Sequence, residues 1–93
     1  MTSRTTKQFW EMLAALPEQI RRQAREAYRR FQQDPNLPGL QFKKVHTTLP
    51  IYSARINIHY RAVGVVTGDQ IVWFWVGGHH DYDQLLDRFQ RKS

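Results

Sequence analysis

Apolar positions in the first third of the chain recur at helical spacing. Phe9, Met12, Leu13 and Leu16 stand at i, i+3, i+4 and i+7, which predicts a helix opening at Thr5, and Thr5 with Gln8 has the spacing of a capping box. Pro17 ends that helix and opens a second, because a first-turn proline lacks only an N–H that would have no partner there. In the second helix Ile20, Ala24, Ala27, Tyr28 and Phe31 share one face as far as the break at Asp34-Pro35. Two helices joined so tightly predict an antiparallel hairpin. The opposite face of the second carries Arg21, Arg22, Arg25, Arg29 and Arg30, with Glu18 and Glu26 four residues before Arg22 and Arg30, the pattern of a solvated surface.

After the turn-rich stretch 35–39 the period changes from near 3.6 to 2, and segments 40–46, 52–57, 60–67 and 70–76 read as strands, the last two joined by a Gly68-Asp69 hairpin turn. In 52–57, Tyr52, Ala54 and Ile56 point one way while Ser53, Arg55 and Asn57 point the other, so one sheet face is expected to be buried and one wet. Segment 71–76 is apolar on both faces, as a central strand is, and alternation places Trp73 and Trp75 on a common face. Asp81 with Gln84 predicts the cap of a last short helix that buries Tyr82, Leu85, Leu86 and Phe89. The expected fold class is α+β: a single domain over 1–93, with an N-terminal antiparallel helical hairpin packed on a mostly antiparallel four-stranded sheet and a short C-terminal helix.

Composition narrows the functional classes. Ninety-three residues support one core, and 41% hydrophobic with 13% aromatic residues is enough to build it despite a net charge of +6. The chain has no cysteine, so a disulfide framework and thiolate chemistry are excluded, which fits a reducing compartment. No apolar run approaches the roughly 20 residues of a membrane helix, and the start Met1-Thr2-Ser3-Arg4 lacks a signal-peptide core, so a soluble, cytoplasmic protein with no membrane partner is expected. The charge is uneven: positions 35–68 hold Lys43, Lys44, Arg55 and Arg61 and not one Asp or Glu. A basic sheet surface fits a polyanion, and RNA comes first among candidate partners.

The candidate chemistry lies on and beside that surface. Arg55 sits mid-strand on the polar face, and Arg61 opens the next strand after a turn near Ile58-His59, so a hairpin would bring two guanidiniums to one phosphate. The plainer reading is a pair of strand arginines that deter edge association. Lys43 and Lys44 alternate faces, so one of them can join the cluster. His79 and His80 follow Gly77-Gly78 at a strand end, where an imidazole can serve as general acid or base. Either can equally be a helix-entry histidine bonded to backbone, and His79, nearer the glycines, is the candidate. Tyr82 is either the first buried residue of the last helix or a phenol over the basic face, and Trp73 with Trp75 is either core or a stacking platform. His46 and His59 flank the basic segment as partial charges. The set His79, His80, Asp81 and Asp83 lacks a specific metal-ligand spacing, and no metal or cofactor is implied. Such groups suit RNA cleavage by a ribose 2′-hydroxyl, which needs in-line orientation, cations for the phosphorane oxygens and an acid for the 5′ oxygen; DNA lacks that nucleophile.

The order of these elements resembles the RelE/ParE superfamily of bacterial type II toxins over nearly the whole chain. The carrying residues are the helical hairpin, Leu40-Gln41-Phe42-Lys43-Lys44, Tyr52-Ser53-Ala54-Arg55-Ile56, Tyr60-Arg61-Ala62-Val63 and Ile71-Val72-Trp73-Phe74-Trp75-Val76-Gly77-Gly78-His79. The resemblance to the RelE, YoeB and YafQ branch implies a ribosome-dependent messenger-RNA endoribonuclease that inhibits translation, with the ribosome and mRNA as partners. It also implies neutralisation by a cognate antitoxin, expected to be acidic and encoded next door. By position Arg61 is similar to the catalytic arginine of the YoeB-like Arg-Leu-Val-Tyr strand, and Arg55 to the arginine before that hairpin. His79 in Gly-Gly-His is similar to the histidine of the YafQ-like Gly-Ser-His. Lys43 and Lys44 match first-strand lysines, Tyr82 matches the aromatic near the C-terminal end, and His80 joins them as substrate-binding. The YoeB-like acidic residue ahead of the lysines is absent, Leu40 and Gln41 standing there instead. The ParE branch gives the alternative, a DNA gyrase inhibitor without nuclease activity.

Overall fold

The computed structural model describes residues 1–91. Along the chain run β1 (Thr2–Thr5), α1 (Lys7–Ala14), α2 (Glu18–Gln33), a 3-10 turn (Pro38–Leu40), β2 (Lys43–Lys44), β3 (Ile51–Asn57), β4 (Tyr60–Thr67), β5 (Gln70–Gly78) and α3 (His79–Arg91). The α+β class holds. The sheet has five strands rather than four, in the order β1-β5-β4-β3-β2, and it is mixed, because β1 runs parallel to β5 while the other pairs are antiparallel.

The additional strand precedes the helices, so the chain does not begin with a helical hairpin. Residues 2–5 are polar and offer no apolar alternation; they become a strand because β5 presents a free edge, Thr2 pairing Gln70 and Thr5 pairing Trp73. That pairing removes Thr5 from α1, and the cap moves to Thr6, whose Oγ1 accepts from the Phe9 N–H at 3.1 Å. Each helix then rests on the sheet, α1 against β5 and α2 against β3. At their junction the Arg21 guanidinium donates to the Leu16 carbonyl, which α1 leaves unpaired.

The first predicted strand shrinks. Leu40 ends the 3-10 turn, Gln41 takes left-handed backbone (φ 45°), and only Lys43–Lys44 pairs with β3. His46 is buried, and its Nδ1 accepts the N–H groups of Thr48 (3.1 Å) and Leu49 (2.9 Å), so it closes the β2–β3 loop rather than adding charge to the basic segment. Gly68 makes the β4–β5 turn as expected, at φ +60°.

Two bulges decide which side chains meet. Val63 pairs Trp75 and Gly64 pairs Trp73, so Phe74 is an extra residue in β5. Trp73 therefore faces α1 and α2, with its ring 5.4 Å from that of Phe31, while Trp75 faces α3, 6.3 Å from Tyr82. The expected common face of the two tryptophans does not exist. Gly64 lies under the bulge, where a Cβ would come within 2.9 Å of the Ile71 side chain. In β3, Arg55 pairs Arg61 but Asn57 pairs Tyr60, so Ile56 is the extra residue. This turns Asn57 off the Arg55 face and towards α2, where it bonds Gln23.

The core is consequently two-layered. One layer gathers Phe9, Leu13, Ala27, Phe31, Leu40 and Trp73 between the sheet and α1/α2, around a largely apolar cavity of about 420 Å³. The other packs Ile51, Val63 and Trp75 against Tyr82 and Leu85 of α3. The face predicted to be wet is thus half covered, and Ser53 on it is 2% exposed. Among the described residues no helix is long and apolar enough to cross a membrane.

Candidate functional site

The strip of sheet that α3 leaves uncovered is built around one cross-strand pair. Arg55 and Arg61 are direct register partners of β3 and β4, so their side chains leave the same face with Cβ atoms about 5 Å apart. Ala54 and Ala62 pair beside them and belong to the helix-side core, which fixes the two arginines to the α3 side. Both are half-buried. Like charges placed directly opposite are unfavourable, and a bound anion relieves that repulsion. Lys43 pairs Ser53, two residues from Arg55, and joins the same face; Lys44 pairs Tyr52 and goes to the other. Of the two lysines only Lys43 extends the cationic strip.

Arg61 is held at one end. Its Nη1 donates to the carbonyls of Asn57 (2.7 Å) and Tyr60 (3.0 Å), so the guanidinium is braced on its own β3–β4 turn while Nε and Nη2 are the donors a phosphate would use. The same turn reaches α3: the His79 N–H donates to the His59 carbonyl at 2.7 Å. Since Gly77 pairs Arg61 and Gly78 pairs Tyr60, the first residue of α3 emerges beside the turn that braces the arginine. A Cβ at Gly77 would meet the Trp75 indole at 2.9 Å, so the glycine there leaves room for that ring.

His79 and His80 form the first turn of α3, which starts directly where β5 ends at Gly78. Asp81 is inside the helix rather than capping it. Both histidines are exposed. His79 Nε2 lies 3.4 Å from the Asp83 carboxylate, one turn on, and its ring stacks on Tyr82 with centroids 6.2 Å apart; Nδ1 is the nitrogen left for a ligand. His80 Nε2 lies 3.4 Å from the Gln84 amide. Tyr82 is in the core, 7% exposed, and its phenol donates to Ser53 Oγ at 3.0 Å, so the ring braces the strip from beneath. No three or more His, Cys, Asp or Glu side chains are grouped to hold a metal ion among the described residues. Sequence reasoning missed Asn57 and Gln23, because only the bulge at Ile56 brings them together.

Against known proteins, the ParE-like toxin domain model matches residues 18–84. No curated protein matches the chain in sequence. Among solved structures, the toxin in the RelB-RelE antitoxin–toxin complex of Methanococcus jannaschii is similar, with 26% identity and a TM-score of 0.71 over 87% of this chain and 96% of that one. The YoeB/ParE toxin of Agrobacterium tumefaciens is 15% identical with a TM-score of 0.66, covering 85% and 99%. YafQ of E. coli BL21(DE3) is 9% identical with a TM-score of 0.64, covering 86% and 94%. These last two likenesses are of fold.

Proposed function

The chain belongs to the ParE-like toxin family, within the RelE/ParE superfamily of type II toxins, and from that premise we propose that it is an endoribonuclease toxin that cuts messenger RNA on the ribosome. The observation that carries this reading is the Arg55–Arg61 pair, two cationic forks directly opposed on an uncovered strip whose bracing turn also anchors His79. In the proposed reaction a ribose 2′-hydroxyl loses its proton and attacks the adjacent phosphorus. The new P–O2′ bond forms as the P–O5′ bond breaks, and the 5′ oxygen takes up a proton, leaving a 2′,3′-cyclic phosphate and a 5′-hydroxyl.

Arg55 and Arg61 hold the phosphate and stabilise the charge that grows on its non-bridging oxygens, Lys43 binds a neighbouring phosphate, and His79 exchanges the proton as acid or base. In this reading His80, in the same first helical turn, contacts substrate as well, whereas Tyr82 acts through Ser53 from below. The partner that restrains this activity is a cognate antitoxin, supported by the RelB-RelE complex of the M. jannaschii relative.

The ParE-like name of the matching family keeps a second reading open, an inhibitor of DNA gyrase in which the paired arginines cut nothing. Primer extension on a reporter transcript after induction separates the two. Cuts within translated codons that disappear in Arg61→Ala support cleavage, with a loss of about 10²–10³ in rate for removal of one charge-stabilising donor group. Gyrase–DNA cleavage complexes with intact transcripts would overturn it.

A further inference from the structure

Asn57 is the most heavily used polar side chain near the strip. Its Oδ1 accepts the backbone N–H of His59 (2.7 Å) and of Tyr60 (3.0 Å), closing the β3–β4 turn from within. Its Nδ2 donates to Gln23 Oε1 on α2 at 2.6 Å, thirty-four residues away in the chain. Its backbone carbonyl receives Arg61 Nη1, and the turn it closes presents the Tyr60 carbonyl to that same nitrogen and the His59 carbonyl to the His79 N–H. One amide thus stands behind both the arginine head and the start of α3, and its anchor lies on the opposite face of the sheet.

We propose that Asn57, tethered by Gln23, is a positioning residue that sets the Arg61 guanidinium and the first turn of α3 in a common geometry. The turn Asn57-Ile58-His59-Tyr60 contains no proline to stiffen it, and Ile58 at its tip is 64% exposed, so the asparagine's three side-chain bonds supply the rigidity. A loosened turn would still let Arg61 meet a phosphate as a charge, so ground-state binding survives. It would no longer hold the fork where transition-state charge develops, so the loss falls on turnover.

The catalytic half of this inference rests on the cleavage reading above, and the experiment keeps the two apart. Free 15N-labelled protein is compared as wild type, Asn57→Ala, Gln23→Leu and Gln23→Glu, with rotation of the Arg61 guanidinium followed by NMR and ribosome-bound mRNA cleavage followed at saturating and limiting ribosome. The glutamate variant keeps an acceptor for Asn57 Nδ2; the leucine variant, of similar size, does not. Expected are slow Arg61 rotation in wild type and Gln23→Glu, fast rotation in the other two, and a kcat about ten- to hundredfold lower in those two with KM within about twofold. Unchanged rotation and kcat in both Gln23→Leu and Asn57→Ala, with Arg61→Ala inactive, would overturn the tether and leave the nuclease reading standing. If wild-type protein cuts nothing, the nuclease reading falls, and the rotation measurement alone decides the tether. Should Asn57→Ala fail to fold, Gln23→Leu carries the same test from a half-buried helix position.

Discussion

The two faces of the sheet are built from the same alternating strands, yet they end in different states. The face under α1 and α2 is covered by aromatic and aliphatic side chains, Trp73 meeting Phe31 and Phe42 edge-on. The face under α3 is sealed only where Ile51, Val63, Trp75, Tyr82 and Leu85 pack, and it is left open at Arg55, Arg61 and Lys43. The difference comes from the number of helices available: two cover one side and a single helix, starting directly at the end of β5, covers the other. A small domain thereby obtains one closed layer and one that stays partly open, and substitutions should separate accordingly.

The largest effect is expected from Trp73→Ala, which empties the helix-side layer and should cost about 3–5 kcal/mol in urea unfolding, enough to leave a domain of this size largely unfolded. Trp73→Phe sharpens that test. The indole Nε1 is buried with no hydrogen-bond partner among the described residues, so its removal offsets part of the lost packing and the cost should fall below about 1.5 kcal/mol. A Phe variant as unstable as the Ala variant would show that the indole N–H has a partner after all.

Gly64→Ala is expected next, at about 1–3 kcal/mol, because its Cβ would press on Ile71 where both neighbours are fixed backbone and core. Thermal melting measures it, and a neutral result would mean that the bulge at Phe74 relaxes. On the open face, Tyr82→Phe removes the donor to Ser53 and leaves a buried hydroxyl, for about 1–2 kcal/mol, while the cationic strip keeps its charges. Cleavage lost without a matching loss of stability would give the phenol a chemical role.

The smallest contrast is between neighbouring lysines. Lys43→Ala should weaken RNA binding several-fold and flatten its salt dependence by about one phosphate contact, whereas Lys44→Ala, on the other face, should leave both nearly unchanged. Equal effects from the two, in filter binding across a salt series, would break the distinction between the faces.

Local pattern carried most of the elements. The 3.6-residue spacing of Phe9, Leu13 and Leu16, the helix break at Asp34-Pro35, the β3–β4 and β4–β5 hairpins and the apolar last helix all follow from short-range periodicity and turn chemistry, and all are present. The direct opposition of Arg55 and Arg61 was not legible: the tight turn pairs Asn57 with Tyr60 and would by itself set Arg55 against Ala62, and only the extra residue Ile56 brings the two arginines opposite one another. Strand β1 was not legible either, since four polar residues become a strand only when another strand offers them an edge. The separation of Trp73 from Trp75, and the turning of Asn57 towards Gln23, escaped for one reason: a bulge inserts a single residue and inverts the alternation beyond it.

The sequence by itself therefore determined the helical and extended segments and the acid-free basic stretch, which depend on neighbours a few residues apart. Tertiary structure alone decided which face each residue took past the bulges, how far α3 covers the sheet, and that an asparagine in β3 answers to a glutamine in α2. Those outcomes depend on contacts between distant segments competing for the same space, and no local period encodes them.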